Sequence, residues 1–180
     1  GKPLALTIQV GSTSSDWLSV AQIIVQNLAD VGISATIDSP DWSEVTAALE
    51  TGTFETAVCW SSLGATPYTY YEATMSTQKV KPIGTHALEN YHRFGDEQAT
   101  ALLSQFAATT DQARQIEICH QIQQRYADQL PVIPLFPGPI WGAYTDEHFT
   151  GWPSQDNPYA SLSTRAATTV LVLNSLRPRT

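Results

Sequence analysis

Charge is what this chain has least of: Asp, Glu, Lys and Arg make up 14% of its 180 residues, against roughly 25% in a typical soluble domain. Ser, Thr, Gln and Asn stand in their place, a surface suited to neutral polar partners. Bases are the scarcer sign. Lys and Arg number 9 against 17 acids, the net charge is -8, and residues 1–75 carry Lys2 as their one base. A phosphate backbone or an anionic membrane surface needs the opposite balance, so nucleic acid is excluded as a partner. Metal-site patterning is missing too. Cys59 and Cys119 form no CxxC, and His86, His92, His120 and His148 never pair at i, i+4, so no metal is expected. Each cysteine is expected instead as a separate buried thiol acting as a small hydrophobe. Neither G-x-G-x-x-G nor G-x-x-x-x-G-K-[ST] occurs, which removes the usual phosphate cradles, and no cofactor is expected. No apolar run approaches the ~18 residues needed to span a bilayer, and no leader pattern is present. Because Gly1-Lys2-Pro3 leads straight into a strand, Gly1 is expected to be a boundary inside a longer protein.

What the chain does have is a regular opening. Leu4 to Val10 alternates as a strand, Asp16 is placed to cap a helix carrying Trp17, Val20, Ala21, Ile24 and Leu28 at helical spacing, and Gly32 ends it. Ile33 to Ile37 predicts a second strand, Ser39-Pro40-Asp41 a second helix with Trp42, Val45 and Leu49, and Phe54 to Trp60 a third strand after Gly52. This β-α-β-α-β order over residues 1–64 predicts an α/β fold: a mostly parallel sheet with crossover helices on both faces. Ligands in such sheets bind beyond the carboxyl ends of the strands, which makes neighbours of residues 11–15, 39–41 and 60–64. Residues 65–95 read as irregular. Residues 96–130 read as two helices, the first beginning from Asp96 with Ala99, Leu102, Leu103 and Phe106 on one face, the second capped by Asp111 with Ile116, Cys119, Ile122 and Tyr126 inward. Residues 131–180 read as an extended, Pro- and aromatic-rich segment and tail, all within one lobe.

The last of these begins in the most unusual stretch of the sequence. Residues 130–159 hold six of the eleven prolines and six of the seventeen aromatics. Pro131, Pro134, Pro137 and Pro139 forbid a helix interior and a central strand, so a rigid loop must carry Phe136, Trp141, Tyr144, Phe149, Trp152 and Tyr159. Rigid aromatics on a loop offer flat apolar faces with polar tips, suited to lining a ligand site.

Catalytic signatures are weak beside this. Ser62 in W-S-S-L-G resembles a nucleophile elbow, but Trp60 stands where its first glycine belongs. Ser76-Thr-Gln-Lys79 fits S-x-x-K without the partners that motif needs. Asp146 and Asp156 lie among aromatics as glycosidase carboxylates do, although adjacent acids in a polar loop as a rule face solvent. A hydrolase using Ser62 or Asp146/Asp156 is therefore the rival reading. The better-supported one is binding without catalysis, through Trp60, Ser61 and Ser62 after the third strand, Tyr68 beyond them, and Trp141, Trp152, Asn157 and Tyr159.

The runs G-K-P-L-A-L-T-I-Q-V, L-A-D-V-G-I, L-E-T-G-T-F-E-T-A-V-C-W, L-P-V-I-P-L-F-P-G-P-I-W-G-A-Y and F-T-G-W-P-S-Q-D-N-P-Y-A resemble the C-terminal lobe of family 5 extracytoplasmic solute-binding proteins of ABC importers, which take oligopeptides, dipeptides, nickel or cello-oligosaccharides. The resemblance runs from Gly1 to Thr180. It implies a type II periplasmic-binding-protein lobe, a missing N-terminal lobe of the same chain, delivery of solute to a membrane permease, a periplasmic or lipid-anchored extracytoplasmic location, and no catalysis. It also implies that Trp60 faces the cleft and that Val132 to Phe136 are core. A ligand-sensing ectodomain is a further reading of the same lobe. The uncharged S-S-L-G-A-T-P-Y after Trp60 departs from peptide binders that pair a ligand terminus with a charge, and leans toward a neutral oligosaccharide.

Overall fold

The computed structural model describes residues 4–62, 64, 66–138, 142–164 and 166–179. Two compact units divide the chain, residues 1–133 and 134–180, where the sequence predicts one lobe. The division falls in the extended Pro-rich stretch, where Ile133, Leu135 and Phe136 are 73%, 46% and 52% exposed. This corrects the expectation that Val132 to Phe136 are core. Only Val132 packs on the neighbouring helices, because the prolines hold the residues after it away from any regular element.

In the first unit β1 (Ala5–Gln9) is the centre of a parallel sheet of order β2-β1-β3, flanked by β2 (Ser34–Asp38) and β3 (Thr56–Ala57). The β1–β2 register runs from Ala5 opposite Ser34 to Gln9 opposite Asp38. Ile8 and Val10 are buried against α1 (Ser15–Asp30), which packs Trp17, Leu18, Ile24, Val25 and Leu28 around Ala21. On β2, Ser34, Thr36 and Asp38 alternate outward and stay exposed, so one face of that edge strand is polar and open. The predicted third strand is cut to two residues. Its pairing stops at Ala57 opposite Gln9, because β1 ends there, and the Val58 amide adds a last bond to the Gln9 carbonyl (2.9 Å).

Helix α2 (Trp42–Thr51) is bounded as its residues dictate. The Asp41 carboxylate accepts from the Ser43 and Glu44 amides at 2.8 and 3.2 Å, and Gly52 closes the helix at φ 74°. The predicted Asp16 cap is not seen. Helix α1 begins two residues earlier than that cap requires, with Ser14 at the cap position and no side-chain bond to the helix.

Residues 65–95 are not irregular throughout. Pro67 opens α3 (Tyr68–Met75), and a 3-10 turn follows at Thr77–Lys79. The helix escapes sequence analysis because tyrosines at positions 68, 70 and 71 point to several sides and erase the 3.6-residue pattern. All three are half-buried against Met75, Ala99, Leu103, Phe106, Ile118, Ile122 and Tyr126, the core shared with α4 (Glu97–Ala107) and α5 (Gln112–Gln129). Ile116, expected inward, is 49% exposed. The buried stripe steps by four through Ile118, Ile122 and Tyr126, and Ile116 sits two residues off it, on the far side.

Asp96 serves both helices of this pair. It caps α4 by accepting the Ala99 amide at 2.7 Å, and it holds the Arg125 guanidinium of α5 through both carboxylate oxygens. Its side chain is 8% exposed. The Arg125 guanidinium, helped by the Ala99 N–H, keeps its carboxyl below the usual carboxylate range. A carboxyl depressed on folding stabilises the native state above its unfolded pKa and loses that contribution as pH falls through the folded one. Asp96→Ala is expected to lower stability by about 2 kcal/mol at pH 7. In urea titrations the gap between Asp96→Asn and the unaltered protein should close as pH drops toward 3; a gap that persists undiminished contradicts the assignment.

The second unit is small. Strand β4 (Phe149–Thr150) pairs antiparallel with β5 (Arg177–Pro178), the Arg179 amide donates to the His148 carbonyl at 2.8 Å, and Thr169–Ser175 forms α6. The T-V-L-V-L run, which reads equally as a strand or a helical turn, is helical.

Candidate functional site

At the carboxyl edge of the sheet, three strand-end loops meet as the β-α-β-α-β order requires. The Val10 amide bonds the Asp38 carbonyl at 3.1 Å and the Ser12 amide bonds the Pro40 carbonyl at 2.9 Å, drawing residues 10–14 against residues 38–42. Trp17 of α1, Trp42 of α2 and Trp60 beyond β3 form a run of ring contacts with centroids 5.3 and 5.6 Å apart, and Tyr91 meets Trp60 edge-on at 6.2 Å. Trp60 is 44% exposed, while Trp17, Trp42 and Tyr91 are half-buried. The result is one accessible indole contacted by two other rings. Ser61 is exposed and Ser62 half-buried beside it.

The remaining sequence candidates lie elsewhere. Tyr68 stacks on Phe106 at 5.5 Å and donates its hydroxyl to Glu72 at 3.3 Å, a packing arrangement within the helical layer. Trp141 lies outside the described residues. In the second unit, Trp152 stacks on Tyr144 at 4.8 Å with the rings 18° apart and donates Nε1–H to the Phe149 carbonyl. Tyr159 donates its hydroxyl to the Gly151 carbonyl at 2.5 Å, and Asn157 exchanges backbone bonds with Ser154. Tyr144 also lines an open concavity of about 660 Å³ with Gly142, Pro153, Gln155, Pro158 and Leu162. Sequence reasoning missed Tyr91, which falls in the stretch read as irregular, and the part played by Trp42, whose helical spacing marks it as a core residue and gives no sign of the ring it supports.

The catalytic rival gains no partner here. Among the described residues no histidine hydrogen-bonds Ser62; His86 pairs with Glu50 at 2.8 Å and His92 with the Thr74 carbonyl at 2.8 Å. Asp146 is exposed and bound to Arg179 at 3.0 Å. Both cysteines are free, and Cys59 is exposed where a buried thiol is expected; desolvation around its sulfur still pushes the thiol up to about 11. Among the described residues no three His, Cys, Asp or Glu side chains group as a metal site.

Solved structures decide the fold. A mannohexaose-bound periplasmic oligopeptide-binding protein of an ABC transporter from Thermotoga maritima superposes on 99% of this chain with a TM-score of 0.84 and 24% identity. The fold is that of a type II periplasmic binding protein. AgaA from A. tumefaciens R10, bound to agropinic acid, also matches 99% of the chain, with a TM-score of 0.69 and 19% identity. DppA from Helicobacter pylori, in complex with the peptide STSA, matches 72% with a TM-score of 0.63 and 22% identity. The chain spans about a third of the first two structures, 34% of each, and 24% of the third. No protein-family model and no curated protein matches the sequence. These binding proteins are the group the sequence resembles, and none of the three is an enzyme by description. No helix among the described residues is long and apolar enough to cross a membrane.

The ring arrangement makes a measurable statement about the binding-protein fold in solution. Replacing Trp60 by Phe is expected to lower the acrylamide-quenching slope of tryptophan emission more than the same change at Trp17 or Trp42. Equal losses at all three positions would place Trp60 as deeply as its neighbours.

Proposed function

We propose that this chain belongs to the solute-capturing component of an ABC import system, in family 5 of the extracytoplasmic solute-binding proteins. It takes a neutral oligosaccharide outside the cytoplasmic membrane and delivers it to the permease, without catalysis. The observation that carries this is the exposed Trp60 indole, held by Trp42 and Tyr91 at the carboxyl edge of a parallel sheet. Sugar rings present apolar C–H faces that stack on such an indole, and their hydroxyls suit Ser61 and Ser62. The aromatic-rich stretch with Trp141, Trp152, Asn157 and Tyr159 is proposed, from the sequence resemblance alone, to add ligand contacts. A second lobe of the same protein completes the cleft in this reading, because one aromatic wall covers one face of a solute only.

Short peptides are the second reading, supported by the STSA complex of the Helicobacter pylori neighbour. The residues flanking Trp60, namely Cys59, Ser61 and Ser62, carry no charge to pair with a peptide terminus, which favours the sugar. Titrating mannohexaose, cellopentaose and an uncharged tetrapeptide into the full-length protein, with tryptophan emission as the signal, tests both. A saturable response to an oligosaccharide, weakened about tenfold in Trp60→Ala, is expected. A response to the tetrapeptide alone replaces the sugar with the peptide reading, and no response to any of the three ends the proposal.

A further inference from the structure

The position of Trp60 needs a physical explanation, because its own backbone supplies none. β3 ends at Ala57 and the last ladder bond is made by the Val58 amide; Cys59 and Trp60 run past the end of β1 with no strand beside them. What fixes the indole is its ring neighbours. Of these Trp42 is the more strongly held. It is the first residue of α2, placed by the Asp41 cap, and Trp17 meets its ring edge-on at 83°.

Two features of the loop after β1 are explained by Trp42. Gly11 is buried and has no positive φ, so its backbone does not require glycine; a Cβ there would overlap the Trp42 indole. Ser14 occupies the cap position of α1, where its carbonyl accepts the Leu18 amide at 2.9 Å, yet its side chain makes no bond to that helix. Its hydroxyl instead accepts the Trp42 Nε1–H at 3.1 Å. A residue type suited to capping is thus turned away from its helix and toward the indole.

We propose that Trp42 is the positioning residue of the solute-stacking face. Seated on Gly11 and oriented by Ser14, it sets the plane of Trp60, and through that plane the affinity for a solute with a flat, uncharged face such as a pyranose. This rests on the reading of Trp60 as the stacking ring. Tyr91 also meets the Trp60 ring, edge-on at 6.2 Å, so two aromatic neighbours order the indole before any solute arrives, while 44% of it stays exposed; this reduces the ordering cost of binding.

The test separates ring order from ligand affinity. Full-length protein labelled with 5-fluorotryptophan is observed by 19F NMR without ligand, the Trp60 resonance being assigned as the one lost in Trp60→Phe. Ser14→Ala is the mild variant, since it removes one hydroxyl from an uncapped position, and Trp42→Phe keeps an aromatic while losing the N–H. Both are expected to shift or broaden the Trp60 resonance and to weaken mannohexaose or cellopentaose binding about three- to tenfold, with Ser14→Thr restoring both. An unchanged Trp60 resonance in Ser14→Ala and Trp42→Phe overturns the proposal, as does unchanged affinity in the face of a shifted resonance. If the unaltered protein binds neither sugar, the solute reading itself falls, and the ligand-free spectra still decide whether Trp42 orders the ring.

Discussion

One guanidinium ties the sheet of this protein to its helical layer. Arg93 donates to the Leu49 and Glu50 carbonyls at the end of α2, at 3.3 and 2.8 Å, and to the Tyr91 and Thr85 carbonyls of its own loop, at 2.6 and 3.2 Å. The last carbonyls of a helix have no partner within it and carry the negative end of its dipole, so a half-buried cation there is favoured twice over. Charge-assisted bonds of this kind contribute about 1.5 to 3 kcal/mol each, enough to tolerate an Nε–H left without a partner and a left-handed φ of 54° at Arg93 itself. Gly52 answers the same demand, since a side chain there would meet the guanidinium.

The consequences reach the candidate site. The loop that Arg93 fastens to α2 also bonds through Gly84 to the Thr51 carbonyl and through Ala87 to the Glu50 carbonyl. Buried Asn90 closes it from the other end, exchanging bonds with the Phe94 backbone at 2.7 and 3.1 Å. Between these anchors stands Tyr91, its hydroxyl on the Leu88 carbonyl and its ring against Trp60. A loop from the helical layer thereby supports an indole at the end of the sheet. Two layers thus contact the aromatic edge, the support that the proposed stacking face calls for.

Sequence made the first sixty residues legible because their signals are local. The Asp41 cap, the stops at Gly32 and Gly52 and the alternation of Leu4 to Val10 each act within a few positions, and the parallel order follows from their sequence. Asp96 and Asp111 announced their helices in the same way. What stayed hidden was set by distant partners. Trp42 looked like a core residue of an amphipathic helix, and only its contact with Gly11 and Ser14 reveals a second task. Tyr68, Tyr70 and Tyr71 looked irregular because a helix buried on several sides has no single apolar stripe. The family resemblance implied that Val132 to Phe136 are core, yet prolines at 131, 134 and 137 leave the residues after Val132 without a neighbouring element to bury against.

The account stands or falls on the Arg93 clasp. Native-state hydrogen exchange on Arg93→Gln beside the unaltered protein tests it most directly, with the amides of Gly84 and Ala87 reporting the clasped loop and those of Val10 and Ser34 reporting the sheet. Selective loss of protection at Gly84 and Ala87, with Val10 and Ser34 unchanged, is the predicted result. Equal protection in both proteins at all four amides, or a uniform loss across them, would contradict it.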